Sequence, residues 1–290
     1  MIPISDHTLI GSDCGKAWAL ATQALLDVPG HRMLHLRVRI TNPATEDAGI
    51  RAIVDRLLAR RDLPSVPTVV NTVFPAALAA RCATPQLLTE RYVAMYPTIR
   101  ALRGANKRGT YFGRLVDHPA DGRRVDQLNR IITMLSDPEN RGGKPYARYE
   151  VSFEDAADVA GAIPDQATGS VGEGPTTAVD SAAIFAPRSD ANPWGFPCLV
   201  HVSFQRVDGV LHAQAMYRSQ YMVERAYANY LSLGLLQNYI ATHAGLHLGQ
   251  LTVCIGLAEV EQEITVLRHE LAHRDQLSLL EPAAVPAPHR

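Results

Sequence analysis

The chain has 290 residues, 47% of them hydrophobic and 20% charged, a composition that lets a globular protein bury a substantial core. Its formal net charge of -1 excludes a global basic field for nucleic acid or an anionic membrane, so any phosphate recognition must be local. Cys14, Cys82, Cys198 and Cys254 lack paired spacing, which excludes a zinc ribbon or a disulfide framework and points to a reducing, cytoplasmic setting.

The opening residues show no basic region followed by an apolar stretch, and no apolar run approaches the ~18 residues of a membrane helix. The expectation is a soluble chain with no membrane and no nucleic acid among its partners. Apolar spacing then predicts a helix over residues 14–26 and an alternating strand over 34–40. Asn42 and Pro43 end that strand ahead of a helix capped by Thr45. Thr84 followed by Pro85 is a cap with proline at the first helical position, and the helical pattern runs to about residue 102. Val125, Leu128, Ile132 and Leu135 form a helical stripe that stops at Ser136, Asp137 and Pro138.

Residues 159–181 are rich in Gly, Thr, Ser, Asp and Pro without sustained period, and read as a loop insertion. Strands follow over 182–186, 198–205, 211–218 and 251–255, with long helices over 221–243 and 260–276. Gly245 stands where a left-handed helix cap belongs. Residues 281–290 form a proline-rich tail that is neither helix nor central strand. Mixed strands and helices without an internal repeat give an α+β reading.

Asp208-Gly209 lies between two alternating runs, the strongest local signal for a tight hairpin because glycine accepts the positive φ such turns need. With those two residues as the turn, paired positions sum to 417. Ser203 then faces Gln214, Gln205 faces His212, Leu199 faces Arg218, and Cys198 faces Ser219. A thiol lands at a strand end beside a guanidinium able to bind an anionic group and favour the thiolate. Strict alternation would send Cys198 and Arg218 to opposite faces, so a nucleophile site there requires a bulge or a strand end between them. On its own, a lone cysteine in an apolar strand more often serves as a small buried hydrophobe.

Several segments occur in a telling order. They are Tyr111-Phe-Gly-Arg-Leu115, Asp121-Gly122 leading to Asp126-Gln127-Leu128, Asp137-Pro138-Glu139-Asn140-Arg141, Pro197-Cys198, Asp208-Gly209-x-Leu211-x-x-Gln214, Arg218-Ser219 and Asn229. This series resembles the thymidylate synthases and the related pyrimidine nucleotide hydroxymethylases, covering the second half of the chain well and the first hundred residues in outline. The resemblance implies a single domain over 1–290 with a mixed sheet packed by helices, one sheet face of which serves a homodimer. It also implies a one-carbon (methyl or hydroxymethyl) transferase acting at C5 of a pyrimidine nucleotide after Cys198 adds at C6.

In that scheme Arg218 and Ser219 hold a phosphate, helped by Arg141 from the partner subunit, and Asn229 reads the O4 and N3 edge of the base. Gln214 belongs to the hairpin under the nucleophile, and the cofactor implied is 5,10-methylenetetrahydrofolate, with no metal. The pattern departs from the family where the cofactor and sugar should bind. Leu199 replaces a histidine, Tyr221 a pterin-binding aspartate, and Glu224, Arg225 and Ala228 the groups that pack on the cofactor. Glu259 and Glu261 stand where the sugar is usually held. Tyr221 and Arg225 are therefore the cofactor-facing positions and Glu259 and Glu261 the substrate-facing ones of a divergent member. A binding subunit that keeps the fold without folate chemistry is the alternative.

His269-Glu270-Leu271-Ala272-His273 also matches H-E-x-x-H, which sets two imidazoles on one helical face around zinc with a glutamate as general base. A zinc peptidase is the remote alternative. The third ligand would have to come from Asp275, Glu281 or His289. An amphipathic surface helix with Ile264, Leu267 and Leu271 inward explains the same residues.

Overall fold

A computed structural model describes residues 2–102, 104–120, 123–136 and 197–278. The chain opens with strand β1 (Thr8–Gly11), helix α1 (Cys14–Leu26) and strand β2 (Arg32–Ile40). Asp13 caps α1 by accepting the Lys16 amide at 2.9 Å, and Cys14, Ala17, Trp18, Ala21 and Leu25 supply the buried stripe that the apolar spacing predicts.

Helix α2 (Ala48–Arg60) starts later than expected. The Thr45 hydroxyl is turned back to donate to the Asn42 carbonyl at 2.8 Å, closing a local turn ahead of the helix. Asp47 caps instead, its carboxylate accepting the amides of Gly49 and Ile50. Short helices α3 (Val66–Val73) and α4 (Ala76–Ala79) lead to α5 (Pro85–Leu102), where Thr84 takes the Leu87 amide at 3.2 Å as its cap. Helix α6 (Tyr111–Val116) follows, then a small hairpin of β3 (His118–Ala120) and β4 (Arg123–Val125), then α7 (Gln127–Ser136). Val125, read as the start of the helical stripe, lies in β4, and the stripe itself is Leu128, Ile131, Ile132 and Leu135.

The second half supplies β5 (Leu199–Val207), β6 (Val210–Tyr221), a π-helical turn (Met222–Ala226), α8 (Tyr227–Ala244), β7 (His247–Glu259) and α9 (Ile264–Ser278). Four long strands and the short β1 form one mixed sheet in the order β1-β2-β7-β6-β5, parallel at β1·β2 and β6·β7 and antiparallel elsewhere. The molecule is therefore α+β. Asp208 and Gly209 turn the β5–β6 hairpin with φ of 49° and 76°, which the Asp-Gly pair predicts. Gly245 ends α8 in the left-handed conformation (φ 69°, ψ 34°).

The hairpin register follows the sum of 417 from Val207↔Val210 back to His201↔Met216 and then slips. Leu199 pairs with Tyr217, not with Arg218, because the chain bulges between Leu199 and His201. Two other expectations also shift: the helix read from 221 opens as a π turn, and the one read from 260 begins at Ile264. Val260 is still held by the β2 end, its amide donating to the His31 carbonyl at 3.0 Å.

Helix α8 is buried on nearly every side, as a central helix must be when the sheet lies beneath it and α3 and α7 pack over it. Gly234 lets it press against the Pro43–Ala44 main chain. Its one long buried polar side chain, Gln237, donates to the carbonyls of Leu211 and Gly249 at 2.8 and 3.2 Å, where the β6·β7 register shifts. The far face of the sheet is open at Arg37, Arg39, Gln214 and Met216. Among the described residues no helix is long and apolar enough to cross a membrane. The predicted loop insertion at 159–181, the strand at 182–186 and the tail at 281–290 lie outside the described residues.

Candidate active site

A cavity of about 300 Å³ opens where four parts of the chain converge. The start of β5 contributes Cys198, the end of β6 Ser219 and Tyr221, the π turn Glu224 and Arg225, and the first turn of α8 Asn229. Thr110 and Tyr111 close it from the N-terminus of α6, with Val69 and Thr72 of α3 alongside.

The bulge after Leu199 is what presents the thiol. It places the Cys198 carbonyl as acceptor for the Arg218 amide at 2.9 Å and leaves the Sγ 3.9 Å from the Ser219 hydroxyl. The main chain there is clamped from across the fold: the Tyr111 hydroxyl oxygen accepts the amides of Cys198 and Leu199 at 3.2 and 3.4 Å. Burial, with Cys198 beside it, pushes the Tyr111 hydroxyl up to about 12, while the nearby Arg225 guanidinium pulls the other way. Tyr111 is therefore a neutral phenol at physiological pH. Its helix is fixed in turn by Thr110, whose side chain caps α6 through the Gly113 amide at 3.0 Å and bonds the Tyr92 hydroxyl at 2.7 Å. Behind the site Tyr217 is fully buried near Tyr111 and Cys198, and burial drives its hydroxyl well above the ordinary phenol range.

The π turn owes its shape to distant partners. Trp18 Nε1 donates to the Met222 carbonyl at 2.7 Å, and the Glu261 carboxylate accepts the amides of Val223 and Glu224 at 3.2 and 2.8 Å. Burial outweighs those bonds and holds the Glu261 carboxyl above its usual range. Glu224 and Arg225 form an ion pair at 2.6 Å on the cavity wall, with side chains 24% and 39% exposed.

Cys198, Ser219, Asn229, Tyr221 and Arg225 of the sequence-derived set thus meet in one cavity. Others do not join them. Arg218 is half-buried on the sheet face opposite Ser219 and is not among the residues lining the cavity. Gln214 is exposed in mid-strand between Ser203 and Thr252. Glu259 is engaged with Arg32 at 2.7 Å, and Glu261 serves the π turn. Arg141 lies outside the described residues. Sequence reasoning assigned no role to Tyr111 or Thr110, although Tyr111 stands inside one of the segments that carry the resemblance.

The reduced pterin of a folate asks for uncharged walls on its ring faces, and two of the positions expected to pack on it hold the Glu224–Arg225 ion pair, while a half-exposed Tyr221 stands in place of the pterin-binding aspartate. These residues do not fit that cofactor. On α9, His269 and His273 stack with ring centroids 6.3 Å apart, while Glu270 pairs with Arg56 at 2.7 Å. Among the described residues no three His, Cys, Asp or Glu side chains cluster as a metal site. No protein-family model and no curated protein matches the chain.

Proposed function

We propose that the protein acts on C5 of a pyrimidine nucleotide through covalent addition of Cys198 at C6, as a divergent relative of the thymidylate synthases. One observation carries this reading: the Cys198 thiol and the Asn229 carboxamide line the same cavity, with the Ser219 hydroxyl beside the sulfur. C5 of a uracil is a poor nucleophile until a thiolate adds at C6. The C5–C6 π pair then moves onto C5 and O4, giving an enolate that can take a proton or a one-carbon electrophile. Loss of a proton from C5 and departure of the thiolate restore the ring.

In this reading Cys198 supplies the nucleophile, Tyr111 holds its main chain in place, and Asn229 offers both a donor and an acceptor to the base edge. The buried side of the cavity limits water around the adduct. The one-carbon product, methyl or hydroxymethyl, depends on a donor. Because the ion pair at Glu224 and Arg225 does not suit 5,10-methylenetetrahydrofolate, the proposal stops at thiolate addition and C5 activation. The open sheet face around Gln214 and Met216 is the surface we assign to a homodimer, and a cytoplasmic setting follows from the cysteine pattern.

Calorimetric titration of the protein with dUMP, CMP and methylenetetrahydrofolate tests the reading. dUMP should bind and lose its affinity in Asn229→Ala, while absence of binding by both nucleotides would remove the pyrimidine reading altogether. The same charged cofactor wall favours a second reading, a nucleotide-binding subunit without transfer chemistry. That one predicts dUMP binding without any exchange at C5.

A further inference from the structure

We infer that Arg225, and not Arg218, grips the anionic group of the ligand that lies against Cys198, and that this group is a phosphate monoester. The inference rests on the reading of the cavity as a nucleotide site. Of the described residues lining the cavity, Glu224 and Arg225 are the charged ones, so Arg225 is its guanidinium. Arg218 leaves β6 on the other face of the sheet, its amide tied to the Cys198 carbonyl.

The main chain offers an anion little at this point. A helix start usually attracts a phosphate through its free amides, yet those of Val223 and Glu224 are already taken by the Glu261 carboxylate. Recognition at the π turn then comes from a side chain. Arg225 commits one nitrogen to Glu224, and its side chain is 39% exposed, which leaves further N–H groups of the guanidinium for a ligand. A planar fork of this kind matches two oxygens of a phosphate, whereas a spherical anion gains only a point charge beside the opposing Glu224. The effect of Arg225 on the Tyr111 hydroxyl agrees with a guanidinium close to the clamp that holds Cys198.

The test uses alkylation of Cys198 by iodoacetamide in the full chain, followed by peptide mass spectrometry so that Cys254 is counted separately. Inorganic phosphate and dUMP are the protecting ligands. In the wild-type protein both should slow labelling of Cys198. In Arg225→Gln the concentration needed should rise by about ten- to a hundredfold, the range expected for loss of a charged hydrogen-bonded contact. Arg225→Lys keeps the charge without the fork and should lose most of the protection as well, and melting temperatures of both variants equal to that of the wild-type protein separate this loss from a folding defect.

Failure of phosphate to protect the wild-type protein overturns the inference, as does equal protection in Arg225→Gln, or a loss in Arg218→Gln as large as that in Arg225→Gln. The underlying nucleotide reading fails separately. If phosphate protects through Arg225 and dUMP does no better than phosphate, the anion site stands and the pyrimidine does not.

Discussion

Replacing Tyr111 by phenylalanine removes one oxygen and leaves the amides of Cys198 and Leu199 without their acceptor. Both sit at a strand start in a half-buried region, and an unsatisfied buried donor costs about 1–3 kcal/mol. The two contacts are long, at 3.2 and 3.4 Å, so the pair together should amount to roughly one good hydrogen bond and its desolvation, about 1–3 kcal/mol in total. Local opening of the bulge becomes easier by that amount, which corresponds to about fivefold to 150-fold faster amide exchange at these positions. Hydrogen exchange read on peptides spanning Cys198 and Leu199 measures it directly. Exchange elsewhere in β5, for instance at Phe204, should change far less. Unaltered exchange at the bulge in Tyr111→Phe would show that the phenol does not hold the thiol segment, and the positional argument for Cys198 would fail with it.

Gly234→Ala sets a better helix former against the Pro43 carbonyl, main chain that cannot rotate away. Overpacking of about 3 kcal/mol less a propensity gain of about 1 leaves a loss near 2 kcal/mol, or about 4–8 °C in melting temperature; a variant as stable as the parent refutes the close approach. Glu261→Gln probes the raised carboxyl. Because its folded value lies above the ordinary 4.5, the folded state holds the extra proton between those two values, so this group's contribution to stability falls as pH rises through that window. Melting curves of the wild-type protein and Glu261→Gln should diverge across that interval and run parallel above it, and curves parallel throughout would contradict the assignment. Metal analysis of the purified protein should find zinc well below one equivalent and no change in His269→Ala, whereas near-stoichiometric zinc lost in that variant would revive a peptidase reading.

What the sequence disclosed was local. Helix α1 could be bounded from its apolar stripe, the β5–β6 hairpin from Asp208-Gly209, and the end of α8 from Gly245, since in each case the deciding residues are neighbours in the chain. The misplaced cap of α2 was a contest between two local acceptors, Thr45 and Asp47, that only the Asn42 turn resolves. The slip at Leu199 and the π turn were not legible, because their causes lie far away. Trp18 is 204 residues from Met222, and Tyr111 is 87 from Cys198. The candidate site divides the same way. Cys198, Ser219 and Asn229 could be nominated from a series of spaced segments, but that Arg225 reaches the cavity depends on the π turn, while strand alternation beside Ser219 keeps Arg218 on the other face of the sheet.

Release of tritium to water from dUMP labelled at C5, without any one-carbon donor, tests the central claim most directly. Addition of a thiolate at C6 makes the C5 hydrogen exchangeable, so the wild-type protein should release label and Cys198→Ala should release none. Label retained by a wild-type protein that binds dUMP, or release that persists in Cys198→Ala, would contradict it.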